Sequence, residues 1–272
     1  MNPRQALAIE AASAVAARHG LRGTSPRVLD DANNTIVHLA PLPLVAKVCS
    51  ATARPAGPAA LRLELDVASH LVRCGAPVVA PSAELPVTVH REGECALTWW
   101  RYQRHDPSAR VGAEVAARTL SEVHTALASY PGSLPSFLTR AVRRAGRLLA
   151  DPSALPALGG ADRNRLAAEH VRVLTALGEW NLRWRPLHGD PHRRNFLAGS
   201  GGVVMLDFES VCLGPREWDL SALPGGGWGF GGAGGGAVDP ELLALLGRLR
   251  QVCVEVWCAQ RPERALEVAA AA

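Results

Sequence analysis

Lysine is nearly missing from this 272-residue chain: of 29 basic side chains, Lys47 is the single lysine and the rest are arginine. A general preference for arginine accounts for the rest and leaves the exception to be explained. Aromatic residues make up only 5%, and no basic stripe is interleaved with stacking rings, so a nucleic-acid partner is not expected despite the net charge of +4. No apolar run reaches the roughly 18 residues of a membrane span, and the alanine-rich start is broken by Arg4, Glu10 and Arg18. Neither a membrane anchor nor a signal peptide is read. The six cysteines (Cys49, Cys74, Cys95, Cys212, Cys253, Cys258) contain no C-x-x-C pair, which speaks against a zinc ribbon or a disulfide framework and for reduced thiols in a cytoplasm. What is present, 48% hydrophobic and 20% charged residues, is the balance of a globular protein with one large core or two moderate ones.

The periodicity divides the chain in two. Pro3 to His19 reads as an amphipathic helix ended by Gly20, followed by short β-branched runs at Arg27–Leu29, Thr35–Leu39 and Leu44–Val48 with turn residues between them. These runs predict an antiparallel meander. Pro58 to Arg73 has apolar residues at helical spacing and stops at Gly75, while Val78–Leu85 and Cys95–Trp100 are expected to complete the sheet. Beyond Asp106 the period is helical, at Val111–Ala128, Ser136–Leu149, Asp162–Trp180 and Glu241–Cys258, with one apolar strand at Val203–Leu206. The reading is an α+β chain: a small mixed lobe over 1–97, a hinge at 98–103 and a larger helical lobe over 104–272. The stretch Gly225–Gly236 is mostly glycine, so it is expected to be a mobile loop. It lacks the Gly-Lys-Ser/Thr of a phosphate-binding P-loop.

Chemistry concentrates in His188-Gly189-Asp190-Pro191-His192-Arg193-Arg194-Asn195, with Asp207-Phe208-Glu209 close behind. A carboxylate, a neutral oxygen ligand five residues on and a second carboxylate after a strand are the set that relays a hydroxyl proton and holds Mg²⁺ on a nucleoside triphosphate. Lys47 on the third strand and Glu64 on the next helix add a cation for the phosphates and a counter-charge to aim it. His188, Asp190 and His192 also spell H-x-D-x-H, as a metallohydrolase would use, but no further ligand cluster accompanies them and Lys47 would go unused. Trp99, Trp100, Trp180, Trp184 and Trp218 are read as buried packing before any stacking surface.

On these residues the chain resembles the aminoglycoside phosphotransferase and choline-kinase-like family, small-molecule kinases related in fold to protein kinases. The pattern H-G-D-x-x-x-x-N followed by a strand ending in Asp matches at His188-Gly189-Asp190, Asn195 and Asp207, and Gly214-Pro215-Arg216-Glu217-Trp218-Asp219-Leu220 resembles the segment that follows. The resemblance spans about Leu29 to Leu220. It departs from protein kinases at Asp31–Thr35, where the phosphate loop has no glycine.

The resemblance implies a bilobal kinase-like fold, ATP or GTP as phosphoryl donor, Mg²⁺ as cofactor and a small-molecule hydroxyl as acceptor. Asp190 would orient that hydroxyl and take its proton. Asn195 and Asp207 would bind Mg²⁺, with Glu209 as a neighbour, and Lys47 would contact the phosphates and pair with Glu64 in preference to the nearby Asp66. Asn34 would shape the turn over the phosphates, Leu97–Arg101 would meet the nucleobase, and His188 and Asp219 would hold the catalytic loop. The lone lysine is then a phosphate clamp, for which the wide fork of arginine is no equivalent. The expected activity is phosphorylation of an antibiotic hydroxyl, conferring resistance. The alternatives are a metabolic kinase acting on an amino alcohol or sugar and a kinase-like module that binds nucleotide without turnover. After Leu220 there are five acids (Asp239, Glu241, Glu255, Glu263, Glu267) and four arginines (Arg248, Arg250, Arg261, Arg264), a near balance that argues against a strongly cationic acceptor.

Overall fold

The computed structural model of the chain describes residues 1–31, 34–50, 57–223 and 238–260. The glycine-rich stretch 225–236, and with it the expected mobile loop, lies outside the described residues. By contact density the chain forms two compact units: Met1–Ala109 with Leu197–Glu209, and Arg110–Phe196 with Ser210–Ala272. The first extends past the expected hinge at 98–103, because the strand there runs to Arg101 and Tyr102 still donates its N–H to Pro43 at 2.9 Å. Among the described residues no helix is long and apolar enough to cross a membrane.

The first unit opens with α1 (Pro3–Arg18), started by an Asn2–Gln5 capping box and Pro3 in the first turn. Strands β1 (Ser25–Asp31), β2 (Thr35–Ala40) and β3 (Leu44–Ser50) follow as the expected antiparallel meander. Then come α2 (Gly57–Arg73), β4 (His90–Glu92) and β5 (Cys95–Arg101). The sheet order is β1-β2-β3-β5-β4, so β3 is central, flanked by β2 and β5.

Val78–Leu85 is not the strand its apolar content predicts. Pro77, Pro81 and Pro86 remove the donors a ladder needs, and the segment keeps single bridges only, Val78 to Met205 and Pro81 to Trp100. The fifth strand is instead β4, three polar residues at the sheet edge paired to β5.

The second unit is mainly helical, with α3 (Ala113–Leu127), a π turn at Leu138–Val142 running into α4 (Arg143–Ala150), and α5 (Gly160–Leu177). Strand β6 (Arg185–Leu187) leads into the loop His188–Asn195; the hairpin of β7 (Phe196–Gly199) and β8 (Gly202–Met205) comes next, its Leu197–Met205 portion belonging to the first unit. The chain returns with β9 (Cys212–Gly214), which pairs with β6, and ends in α6 (Arg216–Leu220) and the long α7 (Pro240–Gln260). One core of side chains from α4, α5 and α7, including Leu149, Leu166, Val173, Leu246 and Leu249, carries this unit and reaches Phe137 and Trp218 beside the loop.

Candidate active site

Alternation along β3 decides where Lys47 points. Leu44, Ala46 and Val48 share a cluster with the alanine face of α1, while Val45 packs with Leu65 and Ala68 of α2 and Cys49 with Leu61. Lys47 falls on the α2 side, and Glu64 sits in the same helical stripe as Leu61, Leu65 and Ala68. Its competitor Asp66 is turned out to solvent.

Lys47 Nζ contacts both oxygens of Glu64 at 2.8 Å, Asp207 Oδ1 at 2.7 Å and Glu209 Oε2 at 3.3 Å. Asn34 Nδ2 donates to the same Glu209 oxygen at 2.9 Å, which draws the residue after the β1–β2 turn into the cluster. Asp207 is the one non-glycine residue with positive φ (67°) among the described residues. That left-handed backbone costs about 1 kcal/mol.

Among the described residues, three carboxylates gather around this one ammonium. Burial alone would lower the Lys47 pKa, but Asp207, Glu209 and Glu64 outweigh it and hold the ammonium well above its ordinary value. Burial pushes the Glu64 carboxyl up to about 8; Lys47 pulls against that, and the charges of Asp207 and Glu209 add to it. Glu64, Asp207 and Glu209 offer oxygens that all lie within 4.8 Å of one another, the only such metal-competent group among the described residues. Hard oxygen donors so grouped fit Mg²⁺. The H-x-D-x-H alternative gains nothing comparable, since the Nδ1 atoms of His188 and His192 accept backbone N–H groups from Asp190 and Arg194.

The second unit holds the loop His188–Asn195 from several sides. Asp219, fully buried on α6, accepts from the backbone N–H groups of His188 and Gly189 at 2.8 Å each, and its Oδ2 lies 2.7 Å from His124 Nε2 of α3. Burial pushes the Asp219 carboxyl up, but the His124 bond and charge, with His188 and Arg250, hold it below the ordinary value. Trp218 Nε1 donates to Gly189 O at 3.0 Å. Gly189 has φ 92°, and a Cβ there would come 2.0 Å from Ser210 O, so no other residue fits this bend.

Asp190 itself is only partly covered, its side chain 32% exposed. Its carbonyl accepts Asn195 Nδ2 at 2.8 Å, which uses the donor half of that amide and leaves the carbonyl half as the end suited to a cation.

Of the residues named from sequence, Lys47, Glu64, Asp207, Glu209 and Asn34 lie together in the first unit, and His188, Asp190, Asn195 and Asp219 in the second. Two further residues escape that reading, His124 and Arg250, whose side chains meet Asp219 and Asp190. Their partners lie 95 and 60 residues away in sequence, so no local spacing announces them. Of the tryptophans, Trp99, Trp100 and Trp218 are buried and Trp184 is half exposed.

A family model described as the phosphotransferase enzyme family matches residues 14–253. No match to this chain is found among curated protein sequences. Solved structures of similar fold include choline kinase LicA from Streptococcus pneumoniae, 15% identical over 93% of this chain and 91% of that one, with a TM-score of 0.64. An aminoglycoside-3'-phosphotransferase of type VIII is 20% identical over 92% of this chain and 100% of that one, with a TM-score of 0.63. An amicoumacin kinase in complex with AMP-PNP, Ca²⁺ and Ami is 13% identical over 86% of this chain and 72% of that one, with a TM-score of 0.56.

Proposed function

The chain belongs to the phosphotransferase enzyme family and is a small-molecule phosphotransferase of protein-kinase-like fold, and from that premise we propose that it transfers the γ-phosphoryl group of ATP or GTP to a hydroxyl group. The observation that carries the reading is the sole lysine of the chain, buried among the apolar residues Val45, Ala46 and Val48 of its strand and clasped by Glu64, Asp207 and Glu209. A buried ammonium beside carboxylate oxygens that lie within 4.8 Å of one another is arranged to receive phosphates and a divalent cation together.

In this reading Lys47 holds the phosphates, aimed by Glu64, and Asn34 steadies the turn beside them. Asp207 and Asn195 hold Mg²⁺, with Glu209 beside Asp207. When bound, the ion neutralises phosphate charge. Asp190 orients the acceptor: its oxygen bonds to the γ-phosphorus, the bond to the bridging oxygen breaks, the hydroxyl proton passes to Asp190 and the nucleoside diphosphate leaves. Most of the barrier is removed by placement and electrostatics. His188 and Asp219 fix the loop that carries Asp190.

The acceptor we propose is an antibiotic of low positive charge, inactivated by O-phosphorylation. The fold likeness to aminoglycoside and amicoumacin kinases supports an antibiotic, and the near balance of acids and arginines after Leu220 favours the low charge. The likeness to a choline kinase supports the second reading, a metabolic amino alcohol or sugar. The six cysteine thiols and the nucleotide donor fit a cytoplasmic enzyme. The test is ADP or GDP formation from MgATP or MgGTP with a panel of antibiotics, sugars, nucleosides and amino alcohols. Acceptor-dependent turnover that Asp190→Ala abolishes is expected; equal turnover by wild type and Asp190→Ala overturns the reading.

A further inference from the structure

Helix α7 has no part in the reaction as described, yet it sends one buried guanidinium to the catalytic loop. Arg250 is 6% exposed. Its Nε donates to Ser221 Oγ at 3.0 Å, its Nη2 to the carbonyl oxygens of Trp218 at 2.7 Å and Gly189 at 3.2 Å, and its Nη1 to Asp190 Oδ1 at 3.2 Å. The guanidinium lies over the Trp218 indole with Cζ 4.0 Å from the ring centroid. Asp190 is the carboxylate with which it forms its ion pair.

We infer that Arg250 is a positioning residue for Asp190, tying Oδ1 so that Oδ2 is the oxygen offered to the acceptor hydroxyl. The two oxygens of Asp190 face different surroundings: Oδ1 meets the buried guanidinium, whereas Oδ2 lies 3.8 Å from Nε2 of the exposed His192 ring. A carboxylate on a loop turns freely about its last bond, and a donor fixed at four other points stops that rotation. The same side chain grips the Gly189 carbonyl, so carboxylate and loop backbone are held by one rigid body. Because this chain uses arginine almost everywhere, the residue type alone says nothing; the four-way geometry does. A lysine presents its donors from one nitrogen and cannot span a hydroxyl, two carbonyls and a carboxylate while stacking on an indole.

The inference rests on Asp190 being the group that takes the hydroxyl proton, and a double-mutant cycle separates the two claims. Wild type, Asp190→Asn, Arg250→Met and the double variant are assayed for ADP formation from MgATP with the hydroxyl panel, alongside nucleotide KM and the thermal midpoint without ligand. Positioning predicts that Arg250→Met lowers kcat about 100-fold with nucleotide KM little changed, and that the same change in the Asp190→Asn background lowers kcat by no more than about 2-fold. An arginine that only stabilises the fold lowers the thermal midpoint and changes kcat by the same factor in both backgrounds, or not at all, and either result overturns the inference. An inactive Asp190→Asn with a fully active Arg250→Met overturns the inference alone, whereas a fully active Asp190→Asn overturns the reading it rests on. Should Arg250→Met fail to fold, Arg250→Lys keeps the charge without the fork: a lowered kcat at unchanged nucleotide KM supports positioning, and wild-type kcat overturns it.

Discussion

In the first unit one ammonium, Lys47, faces three carboxylates; in the second, Asp190 and Asp219 each have a cationic or histidine partner, Arg250 and His124, and Asp219 has two backbone N–H donors besides. Each cluster has one partly exposed carboxylate, Asp207 or Asp190, beside buried partners, so the difference is not one of solvent. Among the described residues the first cluster gathers three carboxylates on one ammonium, and the second gives each carboxylate a partner of its own. Their carboxyl groups respond in opposite directions, Glu64 pushed up to about 8 and Asp219 held below its ordinary value. Carboxylates gathered within reach of one another offer oxygens to an arriving cation, and carboxylates tied to separate donors are held where they are. The proposed reaction needs one of each: a place where cation and phosphates arrive, and a loop that does not move when they do.

The sharpest way to break the comparison is at Asp190, the exposed member of the second cluster. Asp190→Asn is expected to lower kcat by about 10³-fold while leaving the first cluster intact. Amine-selective labelling of Lys47 should then still be protected by MgATP; loss of that protection would mean the two clusters are not separable.

Lys47→Ala removes the ammonium that Glu64, Asp207 and Glu209 share and should cost about 3–5 kcal/mol of stability in urea denaturation. Added Mg²⁺ should restore part of it, as a ligand that binds the folded state. A loss below about 1 kcal/mol would show that Lys47 does not hold these carboxyl groups together. Asp219→Ala strands two buried backbone N–H groups, and about 2–4 kcal/mol of destabilisation is expected, with no recovery on adding Mg²⁺. Recovery would erase the distinction between the clusters.

The smallest effect is in pH. Glu64 binds its proton up to about pH 8 when folded but only to its ordinary 4.5 when unfolded, so without metal its contribution to stability is fully present below pH 4.5 and falls away as pH rises towards 8. The slope is at most about 1.4 kcal/mol per pH unit. Asp219 has the opposite sign: its folded value lies below the ordinary 3.8, so its contribution is present above that and is lost as pH falls through the depressed value. Glu64→Gln should flatten the neutral limb and Asp219→Asn the acid limb; a single variant that flattens both would contradict the assignment.

What was legible in the sequence follows the range of each interaction. The first three strands and α2 announce themselves because their periods are local, and Lys47, Glu64 and Asp207 stand out because a lone lysine, an acid in an apolar stripe and an acid at a strand end break those periods. The structure adds what no local pattern carries. Val78–Leu85 has a strand's apolar content, but its prolines deny it a ladder, while His90–Glu92 has no strand-like content and is made a strand only by its neighbour β5. Glu209 looks like a bystander two residues past Asp207, yet it completes the cluster and receives Asn34. His124 and Arg250 are one helical residue among many until α3 and α7 are packed beside the loop.

The central claim is that a phosphoryl group moves from nucleotide to a small-molecule hydroxyl under the control of Asp190. Mass spectrometry of the mixed acceptor panel, incubated with MgATP or MgGTP and either wild type or Asp190→Ala, tests it directly. The account predicts one compound that gains a single phosphoryl group with wild type only. Nucleotide that binds but is neither transferred nor hydrolysed across the whole panel would contradict it, and would identify the chain as a module that holds nucleotide without using it.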